Sequence, residues 1–156
     1  QGSALYDSMS VRENLEFPLR RHTKKFGRIH DAEPLVLEAL ESVGLAKAID
    51  LMPDELSGGM KRRIALARTL ILKPSIILYD EPTTGLDPIT SKEIVQLMQK
   101  VQELYKTSSI IITHDVDCAR AIANRMILLI DGKNYAEGSF ETLQNNMDPK
   151  IQAFFK

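Results

Sequence analysis

Apolar positions change rhythm about halfway along this chain. Up to about Lys73 they recur at the three- and four-residue spacing of a helix buried on one side. Leu37, Leu40 and Val43 form one such stripe, with Asp31 as its expected cap, Pro34 in its first turn and Gly44 as its stop. Ile64, Ala67, Leu70 and Ile71 form another, which Ser57 is placed to cap and Lys73-Pro74 ends. From Ser75 to Tyr79 the pattern becomes a short continuous apolar run, as in a strand covered on both faces of a parallel sheet. Asp87-Pro88 then opens a long helix with Ile94, Leu97, Met98, Val101 and Leu104 on its inner face. Ile110 to Thr113 reads as a second buried strand, Val116 to Asn124 as a helix and Met126 to Ile130 as a third strand. Gly132 turns the chain into a shorter strand near Tyr135, and Ser139 and Pro149 each start a short helix.

Strands alternating with helices imply right-handed βαβ units, hence an α/β fold with a parallel sheet core. The helical first half, about residues 1–72, reads as a subdomain attached to that sheet, which occupies about residues 73–156. The 156 residues are 44% hydrophobic and 26% charged, an ordinary globular balance with enough chain for a core. A formal net charge of -1 offers no broad basic field for nucleic acid. The single cysteine, Cys118, allows no internal disulfide and fits a reducing, cytoplasmic setting. No apolar run approaches the roughly 20 residues that cross a bilayer, so a role at a membrane would need a partner.

Four clusters carry candidate chemistry. The strand Ile76-Ile77-Leu78-Tyr79 ends in Asp80-Glu81, and ligands of open parallel sheets bind beyond such carboxyl ends. Asp80 there suits a Mg²⁺ ion, and Glu81 suits a water attacking a phosphoryl group, although a strand can also simply exit into solvent this way. Leu56-Ser57-Gly58-Gly59 precedes a helix, where exposed N–H groups and the helix dipole favour an anion; a capped glycine turn is the plainer reading. Lys61, Arg62 and Arg63 follow, either as a solvated basic face or as a lure for phosphate. His114 ends its strand, where it can donate to a phosphate or serve structure alone. Asp87, in Gly85-Leu86-Asp87-Pro88, is a good helix cap whatever else it does.

Taken in order, these clusters resemble the ATP-binding subunits of ABC transporters, within the P-loop NTPases. Leu56 to Met60 resembles the signature motif, Ile76 to Glu81 the Walker B strand, Thr84 to Asp87 the D-loop, His114 the switch histidine and Gln1 the Q-loop glutamine. The resemblance runs from Gln1 to about Leu143. It implies a second ATPase subunit, closing head to tail on two ATP molecules. It further implies that Asp80 binds Mg²⁺, Glu81 is the general base, His114 contacts the γ-phosphate and Gln1 touches the metal or the attacking water. Ser57, Gly58 and Gly59 would bind ATP held by the partner, and Asp87 would act across the interface. A membrane permease would dock beside the Q-loop, with residues from Ala4 to Arg21 as its contact. The location implied is the cytoplasmic face of the inner membrane, as a peripheral subunit.

Two departures from the family pattern stand out. Met60 replaces the usual glutamine of the signature. Together with the stretch from Gly2 to Leu15 and with Gly85-Leu86-Asp87-Pro88-Ile89-Thr90-Ser91, it resembles the Mla-type branch, which implies lipid transport with a Mce-type lipid-binding partner. The larger departure is that Gly-x-x-x-x-Gly-Lys-[Ser/Thr], the Walker A cradle for β- and γ-phosphates, occurs nowhere in the chain. This reads as an incomplete ABC ATPase domain starting at the Q-loop and unable to hold ATP alone. Its sheet would lack the strand between the His114-bearing strand and Met126 to Ile130, leaving an apolar gap open to strand exchange. Alternatives are another importer type, an ABC ATPase acting on nucleic acid or ribosomes, and a binding module without turnover.

Overall fold

A computed structural model describes residues 4–22 and 32–155. The chain divides into two compact units, Gln1–Ile111 and Ile112–Lys156.

The first unit opens with α1 (Val11–Arg21), started by a reciprocal capping box. Glu13 N–H donates to Ser10 Oγ at 3.3 Å, and Ser10 N–H donates to the Glu13 carboxylate at 2.8 Å. Helix α2 (Glu33–Ser42) begins after Ala32, which makes no side-chain cap, and the expected cap Asp31 lies outside the described residues. Gly44 follows it at φ 73°, the left-handed conformation that suits glycine past a helix end. Two single 3₁₀ turns lead to α3 (Gly58–Leu70), where Ser57 Oγ accepts from Met60 N–H at 3.3 Å. Strand β1 (Ile76–Asp80), helix α4 (Pro88–Tyr105) and strand β2 (Ser108–Ile112) complete the unit, β2 reaching its boundary. β1 and β2 pair in a two-stranded parallel sheet, α4 being the crossover.

One core serves all of this. Val11 and Leu15 of α1, Val36 and Leu40 of α2, Ile64 and Leu70 of α3, Ile77 of β1 and Val101 of α4 are buried in a single cluster. Each such side chain contributes about 1.5–3 kcal/mol through removal from water. The expected stripes of α3 and α4 are therefore in place, except that Leu104 is exposed.

The strands differ from expectation in two respects. They run Ile76–Asp80 and Ser108–Ile112, a residue or two from the expected bounds. They are also not covered on both faces: Ile77 is 2% exposed, whereas Ile76 is 57%, Leu78 74% and Ile110 57% exposed. A continuous apolar run reports a strand built for burial on both sides, and here packing from the α4 side covers one of them.

The second unit is a hairpin with short helices. Helix α5 (Val116–Ile122) is capped by Asp115, whose carboxylate accepts from Asp117 and Cys118 N–H at 3.0 Å each. It ends two residues before the expected Asn124. β3 (Met126–Ile130) pairs antiparallel with β4 (Lys133–Gly138), with an irregularity between Leu128 and Leu129. β4 is thus no shorter than β3, and Asp131 and Gly132 make the turn in left-handed conformations. Ser139 caps α6 (Phe140–Gln144) and Asp148 caps α7 (Pro149–Gln152). Leu128, Leu143 and Ile151 form this unit's core. β3 and β4 form a two-stranded sheet of their own. Among the described residues, no helix is long and apolar enough to cross a membrane.

Candidate functional site

The first unit brings three of the sequence clusters together: the capped start of α3, the end of β1, and the turn leading into α4. Gly58 and Gly59 begin α3, and each faces the segment before or at the start of α4. A β-carbon on Gly59 would stand 2.8 Å from Thr90 Cγ2, closer than real β-carbons come. Gly59 is therefore required by packing within the chain itself. Gly58 is different: its β-carbon would meet Leu86 Cδ2 at an ordinary 3.8 Å. Among the described residues nothing requires a glycine there, and its bare backbone is open to close approach from outside.

Asp80 is exposed at the carboxyl end of β1. Glu81 follows at φ 48°, a left-handed conformation unusual for a residue with a side chain and costing about 1–2 kcal/mol. The turn it starts is held at several points. Thr84 N–H donates to Glu81 O at 3.3 Å, and Thr84 Oγ1 donates to Glu81 Oε2 at 2.9 Å. From α3, Arg62 Nη1 donates to Glu81 O at 3.2 Å, and Nη2 donates to Thr84 O.

Asp87 caps α4 by accepting from Ile89 and Thr90 N–H at 3.0 Å each. The Thr90 hydroxyl also donates to it, and these bonds, led by that hydroxyl, hold the Asp87 carboxyl below the usual carboxylate range. Tyr79, beside Asp80 in β1, has its phenol pushed up to about 12 by burial, so it stays protonated at neutral pH.

Two of the three basic residues after the glycines are engaged within the chain. Arg62 is tied to the Glu81–Thr84 turn, while Arg63 pairs with Glu93 at 2.7 Å and donates to Val43 O at 3.4 Å. Further along α3, Arg68 donates to Ala4 O at 3.0 Å and to Asn14 Oδ1 at 3.3 Å. Burial pulls its guanidinium below its ordinary value, leaving it cationic at neutral pH. A cleft of about 230 Å³ opens here, lined among others by Ala4, Arg62, Arg68, Tyr79 and Asp80. Arg68 and Asn14 carry no motif signal, and the sequence offers Arg62 only as a solvated residue or a lure for phosphate, not as a clasp on the Glu81–Thr84 turn. The only signal for Arg62 was its position one turn after the glycines.

His114 lies in the second unit, exposed, two residues after the end of β2. Gln1 lies outside the described residues. Among the described residues, no group of three or more His, Cys, Asp or Glu could by itself hold a metal. Mg²⁺ is commonly bound through only one or two carboxylates together with phosphate and water, and Asp80 is an exposed carboxylate that could serve in that way.

Comparison with known proteins bears on the family and the fold. The family model described as "ABC transporter" matches residues 1–84. The intermembrane phospholipid transport system ATP-binding protein MlaF of Escherichia coli K12 is 41% identical over 154 residues, 99% of this chain and 56% of that protein. The probable ribonucleotide transport ATP-binding protein mkl of Mycobacterium leprae is 38% identical over 99% of this chain and 44% of its own length. Among solved structures, the dimeric ATP-binding cassette MJ0796 bound to ADP and Pi superposes with a TM-score of 0.75 at 34% identity, covering 90% of this chain and 60% of that one. The chain thus spans little more than half the length of the curated relatives it matches first. The α/β fold of an ABC ATPase cassette is shared with these proteins, and the chain belongs to the ABC transporter ATP-binding family.

Proposed function

We propose that the full-length protein is the ATP-hydrolysing subunit of an ABC transporter that moves phospholipid. The observation that carries the hydrolytic part is the held turn at the end of β1. Glu81 is fixed there beside Asp80 by Thr84 and Arg62, next to the glycine start of α3.

In this reading Glu81 orients the attacking water and takes its proton. Thr84 occupies one lone-pair direction of Oε2, and a carboxylate offers about four, so accepting capacity remains. Asp80 would hold Mg²⁺, which would supply charge neutralisation to the bound nucleotide. His114 and Gln1 contact the γ-phosphate and the metal or water respectively. Ser57, Gly58 and Gly59 present the first-turn N–H groups of α3, which lack intrahelical partners, to ATP on a second subunit. Asp87 keeps its capping bonds and faces that same interface.

The dimeric state of MJ0796 supports a second ATPase subunit, and the relatives' role as ATP-binding proteins of transport systems supports a membrane permease as the other partner. The segment from Ala4 to Arg21 is the permease contact, at the cytoplasmic face of the inner membrane. Phospholipid as cargo, with a Mce-type partner, rests on the name of the MlaF relatives and on Met60 in the signature. The mkl name gives ribonucleotide as the competing cargo.

The test is the full-length protein assembled with its permease in vesicles, with ATP turnover and transfer of labelled phospholipid followed together. Both should be present in the wild type and lost in Glu81→Gln. Undiminished turnover in Glu81→Gln overturns the hydrolytic reading. Turnover coupled to movement of labelled ribonucleotide, with phospholipid static, overturns the lipid reading alone.

A further inference from the structure

We infer that Arg62 is a positioning residue for Glu81, coupling the seat of α3 to the carboxylate that receives the proton. This rests on Glu81 being the general base.

The argument begins with the backbone of Glu81. At φ 48° it occupies a conformation that residues with side chains keep only when their surroundings impose it. The turn after it closes through Thr84 N–H on Glu81 O. Arg62 reaches in from the neighbouring helix and donates through both ends of its fork, Nη1 to Glu81 O and Nη2 to Thr84 O. These carbonyls belong to the first and last residues of the turn. A planar guanidinium with two parallel donors spans them, and an ammonium, a point charge, does not. Thr84 is in turn the residue whose hydroxyl holds Glu81 Oε2 at 2.9 Å. Arg62 therefore fixes the backbone at the base itself and at the residue that orients the base's carboxylate.

Its place on α3 gives this clasp a second consequence. Arg62 sits about one helical turn beyond Ser57 and Gly58, on the same rigid element. Any shift of the α3 N-terminus on meeting phosphate moves Arg62 with it, and so moves the two carbonyls it holds. The Glu81 conformation then depends on whether α3 is seated. Arg62 touches neither substrate nor metal in this account and acts only through Glu81.

The experiment uses the full-length ATPase, measuring steady-state turnover and Mg-ATP binding in wild type, Arg62→Ala, Arg62→Lys, Glu81→Gln and the double variant Arg62→Ala with Glu81→Gln. Arg62→Ala should lower kcat by about tenfold or more, within the ~10²-fold that misplacing a reacting group by about 1 Å costs. KM for ATP should stay within about twofold, because nucleotide contacts are untouched. Arg62→Lys keeps the charge and the stem, so it should fold even if Arg62→Ala does not, and it should show most of the same loss in kcat. On the Glu81→Gln background, Arg62→Ala should lower the residual rate no further, which a merely structural role would not produce. Wild-type kcat in Arg62→Ala, recovery in Arg62→Lys, or a full additional loss in the double variant overturns the inference while Glu81→Gln stays inactive. Full turnover in Glu81→Gln instead removes the base, and this inference with it.

Discussion

Gly59 and Gly58 are neighbours in one motif, yet physical chemistry separates them. The β-carbon of an alanine at 59 would stand 2.8 Å from Thr90 Cγ2, and Thr90 cannot simply rotate away, because its hydroxyl donates to Asp87 at the cap of α4. Alanine gains helix propensity of up to about 1 kcal/mol over glycine. Overpacking against a held side chain costs about 1–3 kcal/mol. The clash wins, so Gly59→Ala should lose about 1–2 kcal/mol in denaturant unfolding. Thr90→Ser removes the clashing methyl and keeps the hydroxyl, and in the double variant it should restore most of that loss. A Gly59→Ala variant as stable as wild type would show that α3 and α4 are not this close. Both glycines were legible in the sequence as a pair. Their different reasons were not, because only the fold puts Thr90 beside one and Leu86 beside the other. The same holds for Arg62, which looks like any basic residue on a helix until the Glu81–Thr84 turn is placed against it.

At the scale of elements, most of what the sequence announced is local, and it is found as announced. Ser57, Asp87, Ser139 and the run Met126–Ile130 act through neighbours a few residues away, so caps and one strand can be read without a fold. The box of Ser10 with Glu13 is the same kind of local signal. Asn14 is the opposite case. Its side chain is fully buried, accepts from Tyr6 N–H at 2.8 Å, and donates to the carbonyls of Tyr6, Met9 and Ser10. Arg68 of α3 donates to its oxygen, so one amide holds the segment before α1 onto α3. Such a hub has no sequence signature, since its partners are loop backbone and a distant helix. Asn14→Ala leaves several of these groups without partners, each costing about 1–3 kcal/mol, and should destabilise the full-length protein by about 3 kcal/mol or more. Chemical denaturation measures it, and a loss below about 1 kcal/mol would mean that water or other groups replace the amide.

At the scale of the whole molecule, the α/β class and the run of motifs were legible because alternating elements and short local clusters define them. What periodicity did not show is which apolar faces this chain covers by itself. Ile76, Leu78 and Ile110 carry the pattern of strands buried on both sides and are more than half exposed. The chain spans 56% of the length of the MlaF relative. The proposed site is divided: the account gives Asp80 and Glu81 to ATP held by their own subunit, and Ser57, Gly58 and Gly59 to ATP held by the other. Sedimentation of the full-length ATPase tests this division most directly. Glu81→Gln should bind Mg-ATP without hydrolysing it and accumulate as a dimer. Adding Gly58→Asp, which places a carboxylate where phosphate approaches, should keep the protein monomeric while its Mg-ATP affinity stays unchanged. A Glu81→Gln, Gly58→Asp double variant that dimerises with ATP as readily as Glu81→Gln alone would contradict the account, because the start of α3 would then meet no nucleotide across the interface.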